Sequence, residues 1–339
     1  MMNTDATEPV SPMSSDRGAW VRFFARKGEY REYRNSMEKR ALLLGSFVFV
    51  LPLVAAHAEP SFVDEAGKHL TILAADGAPV LRYEYAHEIG DDGKVTFDTA
   101  KVFHHVLGPG GKPITKGPGG KYPHHRGIFI GWNKIRHDGR NHDLWHVRDT
   151  TQKHVSFTEK KSAAESASMT SRIDWIGNEG HPVLEESRTL TVHFSDEGAY
   201  ALIDFTSKLT AAHGAVELGG DPEHAGIHFR PSQEVAGNKS ARYTFHEEGI
   251  TPKKNPGLPW VAQTFEADGK TWTVQHMSHP DNPDGSRWSA YRDYGRFGEF
   301  PAIKLADGES ITLRYRFRVT EGPSPERSQL GTAYESFAK

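Results

Sequence analysis

After residue 58, apolar and polar residues alternate with a period of two along much of the chain, and helical periodicity is scarce. Ile311, Leu313, Tyr315, Phe317 and Val319 alternate with Thr312, Arg314, Arg316 and Arg318. That pattern predicts a half-buried antiparallel strand with an arginine-rich polar face. Leu190, Val192 and Phe194 alternate in the same way, and Ala201, Ile203 and Phe205 repeat it after a turn at 195–198. Asp76-Gly77, Asp268-Gly269 and Asp307-Gly308 each lie between strand-like runs. Asp-Gly accepts the positive φ of a tight turn, so a hairpin is expected at each. Many short strands with closely spaced turns predict an all-β chain, a single large antiparallel β-sandwich over residues 59–322 followed by a loosely held polar tail at 323–339. The stretch GPGGKPITKGPGG, Gly108 to Gly120, is expected to be a binding loop or lid rather than a domain boundary.

The start of the chain breaks this pattern. From Met37 it reads MEKRALLLGSFVFVLPLVAAHAEP: a net-basic start, an apolar run from Ala41 to Ala55, then the small-x-small triplet Ala56-His57-Ala58. The run is shorter than the ~20 residues of a spanning helix. Residues 37–58 are therefore expected to be a secretory signal cut after Ala58. Residues 1–36 are polar and charged, and are expected to be a start-site error or disordered, with translation beginning at Met37. The product would be periplasmic or secreted, with no stable membrane anchor after cleavage.

Composition narrows the chemistry. The chain has 339 residues and a formal net charge of −3, without the basic excess of a nucleic-acid binder, so no nucleic-acid partner is expected. It contains no cysteine, which removes disulfides, thiolate metal sites and cysteine nucleophiles together. A metal would have to draw on His, Asp, Glu or water.

Four stretches carry candidate chemistry. In KYPHHRGIFIGW, residues 121–132, the proline favours an extended Tyr122, Gly127 permits a close approach, and Ile128–Trp132 reads as a buried strand. His124, His125 and Arg126 then sit where a loop enters a strand. If extended, the two histidines point to opposite sides, and His125 is taken as the pocket-facing one; the alternative is a hydrogen-bonded edge cluster. HDLWH, residues 142–146, has the histidine spacing of a zinc-protease helix, with Asp143 where that motif has glutamate. Its flanks offer no apolar helix face. A carboxylate beside an indole, Asp143 near Trp145, instead suits a sugar site. In GIHFRP, residues 226–231, Ile227 and Phe229 face one side of a strand while His228 and Arg230 face the other, with His224 in line. HMSHPDNPDGSRW, residues 276–288, holds His276, His279, Asp281 and Trp288, either as nitrogen and oxygen ligands or as ordinary turn residues.

Taken in order, Pro-His-His-Arg-Gly, Asp143-Leu144-Trp145, the HPDNP…W…Y..YG run from His279 to Gly295 and the closing LADGESITLRYRFRV from Leu305 to Val319 resemble the PmoA-like family of unknown function. The resemblance covers about residues 60 to 322. It implies a supersandwich of the galactose-mutarotase type, a fold used mostly for carbohydrate work. It also brings a methane-oxygenase label, which this chain contradicts: its one long apolar run is the export signal. The resemblance supplies no catalytic set, and fold alone does not fix function.

The expected function is that of a carbohydrate-active enzyme, an isomerase, lyase or hydrolase, acting on a sugar or sugar-derived small molecule. His125 and His228 are the candidates for proton transfer, because histidine titrates near neutrality. Asp143 would orient a histidine or a sugar hydroxyl. Arg126 and Arg230 would hold hydroxyl, keto or carboxylate oxygens, Trp145 would stack on the sugar ring, and His124 and His279 would complete the binding set. No cofactor is predicted. The alternatives are a non-catalytic sugar-binding protein and a metalloenzyme with a divalent metal on His124, His125, His228 and His279.

Overall fold

The period-two runs build three antiparallel sheets in the computed structural model of the chain, which describes residues 58–196 and 198–339. The expectations for residues 1–36 and for the export signal at 37–57 lie outside the described residues. In spatial order, the first sheet holds β1 (Ser61–Glu65), β2 (His69–Leu73), β3 (Pro79–Glu84), β4 (Phe103–Val106), β5 (Ile128–Trp132), β13 (Ala225–Phe229), β18 (Arg296–Phe300) and β17 (Arg287–Arg292). The second holds β14 (Arg242–Phe245), β15 (Trp260–Ala267), β16 (Lys270–Ser278), β20 (Ser310–Glu321), β11 (Ala201–Thr210), β10 (Pro182–His193), β9 (Ser166–Ile176) and β8 (Thr151–Ala163). A smaller third sheet is made of β19 (Ile303–Leu305), β12 (Val216–Gly219), β6 (Lys134–His137) and β7 (Arg140–His142).

The two large sheets pack face to face because each presents one apolar side. On β5 and β13, Ile128 and Ile130 stand opposite Phe229 and Ile227 and turn inwards. Phe229 meets Phe265 and Phe317 of the second sheet, with ring centroids 6.1 and 6.2 Å apart. On β20 the alternation places Leu313, Tyr315, Phe317 and Val319 in the core and the arginines on the other face. That polar face is paired with carboxylates: Arg316 bonds Asp204 at 2.5 and 2.8 Å, and Arg318 bonds Asp196 at 2.7 and 3.2 Å.

Two of the three Asp-Gly turns close hairpins, β2 to β3 and β15 to β16. Asp268 and Gly269 have φ of 53° and 69°, the double positive φ of a type I′ turn. Asp307-Gly308 does not close a hairpin. It leads from β19, which pairs with β12, to β20, which pairs with β11. Asp-Gly sets the local bend but not which sheet each flanking strand joins.

The last residues are not a loose tail. They form α2 (Arg327–Phe337), opened by a capping box between Glu326 and Gln329. Leu330, with Ala333, Tyr334 and Phe337, packs on Trp260, Ala262 and Met277, so the helix covers part of the outer face of the second sheet.

Among the buried polar side chains of the core are a charged pair and a lone carboxyl. Glu186 and Arg188 point inwards from β10 and form a fully buried pair, Nε to Oε1 at 2.8 Å and Nη2 to Oε2 at 2.7 Å. Trp175 Nε1 and Ser207 Oγ also donate to the Glu186 carboxylate, at 2.8 and 2.7 Å. Elsewhere, Glu299 of β18 turns into the core, where Ser278 at 3.0 Å and Ser286 donate to its Oε1 and its Oε2 has no partner. Burial pushes its carboxyl up to about 7 from 4.5. The folded protein therefore holds this proton to about pH 7, while the unfolded chain releases it near 4.5. Wild type should lose stability relative to Glu299→Gln as pH rises through that window, by about 3 kcal/mol at pH 8. Urea unfolding of both proteins at pH 4, 6 and 8 measures this. A gap independent of pH would show that Glu299 ionises normally.

Candidate functional site

The outer face of the first sheet is where polar side chains gather. His228 lies opposite Phe129 and Gly298 in the ladder, so it points away from the sandwich core. A side chain at position 298 would collide with the His228 ring, so glycine is required there. Two loops cover this face: residues 107–127, between β4 and β5, and a turn at 143–150 after β7.

The turn lays Trp145 onto the sheet. Its indole packs with Phe103 and Phe129 in a small apolar cluster outside the main core, 4.7 Å from Phe129 and 4.5 Å from His228 between ring centroids. It is fully buried. One expectation for this stretch changes, and the absence of a helix there agrees with its flanks. The Trp145 face is covered by protein and cannot stack on a sugar ring, and HDLWH is a turn rather than a helix. His142 points elsewhere, its Nδ1 accepting the Asn178 N–H at 3.1 Å. Asp143 shapes the turn: it accepts the N–H of Trp145 at 3.1 Å and of His146 at 2.8 Å, and bonds His146 Nδ1 at 2.7 Å. Burial opposes its ionisation, but the His146 side-chain and backbone bonds outweigh it and hold the carboxyl below its usual range.

The His-His pair also departs from expectation. Tyr122 has φ of 57°, and the His125 N–H reaches the Tyr122 carbonyl at 2.9 Å, so the segment is a turn. His124 and His125 therefore lie side by side, edge to face at 4.3 Å, instead of on opposite sides of a strand. Alternation of side chains applies only to extended backbone. The His124 ring also meets His146 at 4.6 Å, and His146 meets His224 at 5.1 Å. His224 is held by Asp221 at 3.0 Å, as His146 is by Asp143. Burial, then the neighbouring Lys101, His146 and arginine charges, push His124 down to about 2. His125 and His228 are likewise held well below the ordinary histidine range, by burial first and Arg230 next. All three are neutral at pH 7.

Hydrogen bonding sets the His228 tautomer. Its Nε2 lies 3.0 Å from the Ala225 carbonyl, which only accepts, so Nε2 carries the proton and the unpartnered Nδ1 presents a lone pair. The ring is nevertheless fully buried beneath Trp145. His125, by contrast, lines a narrow crevice with Tyr122, Arg230 and Tyr294. Its Nε2 has no partner among the described residues.

Of three other expected binding residues, Arg230 lies at the site and Arg126 and His279 do not. Arg126 donates to the carbonyls of Phe97 at 2.5 Å and Asp98 at 2.9 Å and packs on the Phe97 and Phe103 rings, so it braces residues 97–103 from below. Arg230 is buried in the crevice. His279 follows β16 in the second sheet, its ring 5.3 Å from Phe337. The proposed four-histidine metal set is thus not gathered, and no group of three or more His, Asp or Glu among the described residues has metal-holding geometry.

Sequence reasoning missed several neighbours. Lys101 is buried, with its ammonium on the carbonyls of His124 (3.0 Å) and Trp145 and above the Phe129 ring at 4.3 Å, tying the two covering loops together. Tyr294 packs on Tyr122 at 5.1 Å, and Arg296 pairs with Glu223, which also accepts from Tyr291 at 2.5 Å. His146 and His224 each have a carboxylate three residues before them, a spacing visible in the sequence.

A comparison with curated proteins finds no match. Among solved structures, the chain is similar to a heparan sulfate lyase from Pedobacter heparinus, with 11% identity and a TM-score of 0.39 over 80% of this chain and 37% of that one. It is similar also to a galactose 1-epimerase from Lactobacillus acidophilus, with 8% identity and a TM-score of 0.39 over 78% and 99% of the two chains. The chain thus spans about a third of the lyase's length, and neither likeness speaks to activity. A family model described as a family of unknown function, DUF6807, matches residues 71–334 and carries no methane-oxygenase label. The match spans most of the chain, which therefore belongs to DUF6807.

Proposed function

We propose that this protein is an enzyme that transforms a sugar or sugar-derived small molecule by histidine acid–base chemistry on the outer face of its first sheet. The observation that carries the reading is the cluster of His124, His125, His146 and His224, with two of its imidazoles held by carboxylates. A carboxylate on Nδ1 fixes ring and tautomer and leaves Nε2 free to exchange a proton. His125 and the Asp143–His146 pair are the acid–base groups, while the buried His228 supports Trp145 and Arg230 from beneath. The Tyr122 and Tyr294 rings, half-exposed, take the stacking role that the buried Trp145 cannot. Export to the periplasm or exterior, read from residues 37–58, belongs to the same proposal.

The test is to incubate the protein with a panel of sugars and sugar acids, follow each by NMR, and measure binding by calorimetry. An enzyme should convert at least one of them, and His125→Gln should lose roughly a hundredfold or more in turnover with binding retained. Binding by wild type without conversion would leave a sugar-binding protein and end the enzyme reading.

A further inference from the structure

Four arginines are buried among the described residues: Arg126, Arg188, Arg230 and Arg296. Three have protein acceptors: the carbonyls of Phe97 and Asp98 for Arg126, Glu186 for Arg188, and Glu223 for Arg296. Arg230 has none, as its Nε, Nη1 and Nη2 are all without a hydrogen-bond partner among the described residues. Burial draws its pKa down to about 10, which still leaves it charged at neutral pH. A buried guanidinium with unmet donors is costly, and such a group is retained where something arrives to meet it.

Its surroundings point the same way. The crevice around it has a volume of about 10 Å³ and is lined by Lys116, Lys121, Tyr122, His125, Ser232 and Tyr294, with no aspartate or glutamate among its walls. Ser232 Oγ and His125 Nε2 are also buried without partners. Lys116 adds positive charge, with its ammonium turned to the carbonyls of Gly117 at 3.0 Å and Gly119 at 2.6 Å. A planar fork of N–H donors, a hydroxyl and an imidazole converging in a slot walled by two tyrosine rings match a carboxylate, which is flat and accepts two parallel hydrogen bonds. The slot is too small for a ligand as it stands. A carboxylate can enter only if the segment before His125 moves aside, and Gly119 and Gly120, with φ of 83° and 61°, are the residues in it with the freedom to change backbone angle.

We propose that the substrate is a sugar acid and that Arg230, with Ser232, binds its carboxylate beside His125. This inference deepens the reading of the site as sugar-handling and rests on it. Binding of D-glucuronate, D-galacturonate, D-glucose, D-galactose and glucose 6-phosphate would be measured by calorimetry for wild type and Arg230→Met. At least one uronate should bind wild type tenfold or more tightly than its neutral counterpart, and Arg230→Met should abolish that preference. Without ligand, Arg230→Met should melt at or above the wild-type temperature, because it removes an unmatched buried charge. Neutral sugars bound as tightly as uronates, glucose 6-phosphate bound more tightly than glucuronate, or no uronate bound at all would each overturn the proposal. So would an Arg230→Met protein that melts well below wild type. Conversion of a neutral sugar would leave the enzyme reading standing while this one fell; uronate binding without conversion would do the reverse.

Discussion

Replacing Arg188 by methionine should cost about 3–5 kcal/mol, because it strands a carboxylate in the middle of the sandwich. Glu186 and Arg188 are fully buried, and the guanidinium supplies two of the four hydrogen bonds that satisfy the Glu186 oxygens. Trp175 and Ser207 would remain, but two neutral donors do not balance a full charge in a low-dielectric interior. The double variant Glu186→Gln, Arg188→Met should recover most of the loss, since a neutral amide and an apolar chain suit that interior better than a lone carboxylate. Urea denaturation of the two single variants and the double variant measures the coupling. Simple additivity of the two single changes would show that the pair does not act as a unit.

A comparable loss, about 3 kcal/mol or more, is expected for Gly127→Ala. The added Cβ would run into the carbonyl oxygen of His104 on β4, and a backbone atom cannot swing aside as a side-chain tip can. Gly127 also donates to the Lys116 carbonyl at 2.7 Å and accepts from the Arg230 N–H at 2.9 Å, so displacing it moves both walls of the crevice. The control is Gly237→Ala in α1 (Gln233–Asn238), where a Cβ meets nothing within 4 Å. That change should be neutral or slightly stabilising. Thermal and urea unfolding of both variants provide the measurement. Wild-type stability for Gly127→Ala would mean that β4 and β5 lie further apart than described.

Strand content was legible where a strand has one dry and one wet side, as β20 and β10 do, whereas β5, β13 and β18 are buried on both faces. The large antiparallel sheets follow from that pattern directly. What alternation could not convey is partnership: Asp307-Gly308 reads like the other two turns, yet its flanks belong to different sheets. The C-terminal helix was concealed for a different reason. Leu330, Ala333, Tyr334 and Phe337 do follow a helical period, but they are few and set among polar residues.

The site was legible as a list of residue types and not as a geometry. Opposite orientation of His124 and His125 follows from an extended chain, and the positive φ of Tyr122, a non-glycine residue, removes that premise. Trp145 and Arg126 look like ligand-facing groups in sequence, but the first fills an apolar hollow and the second turns both Nη atoms to carbonyls. Only the pattern of satisfied and unsatisfied donors separates Arg230 from its neighbours, and that pattern is a property of packing.

The glycines beneath the site have a consequence for how this scaffold can diversify. Gly226 sits opposite Gly131, Gly298 sits opposite His228, and a side chain at any of the three would strike backbone or the imidazole. The floor of the site is consequently closed to mutational drift, and chemical novelty has to be written in the loops above it. Relatives handling other molecules should keep these bare strand positions and differ in the segments that bear Tyr122, His146, His224 and Tyr294.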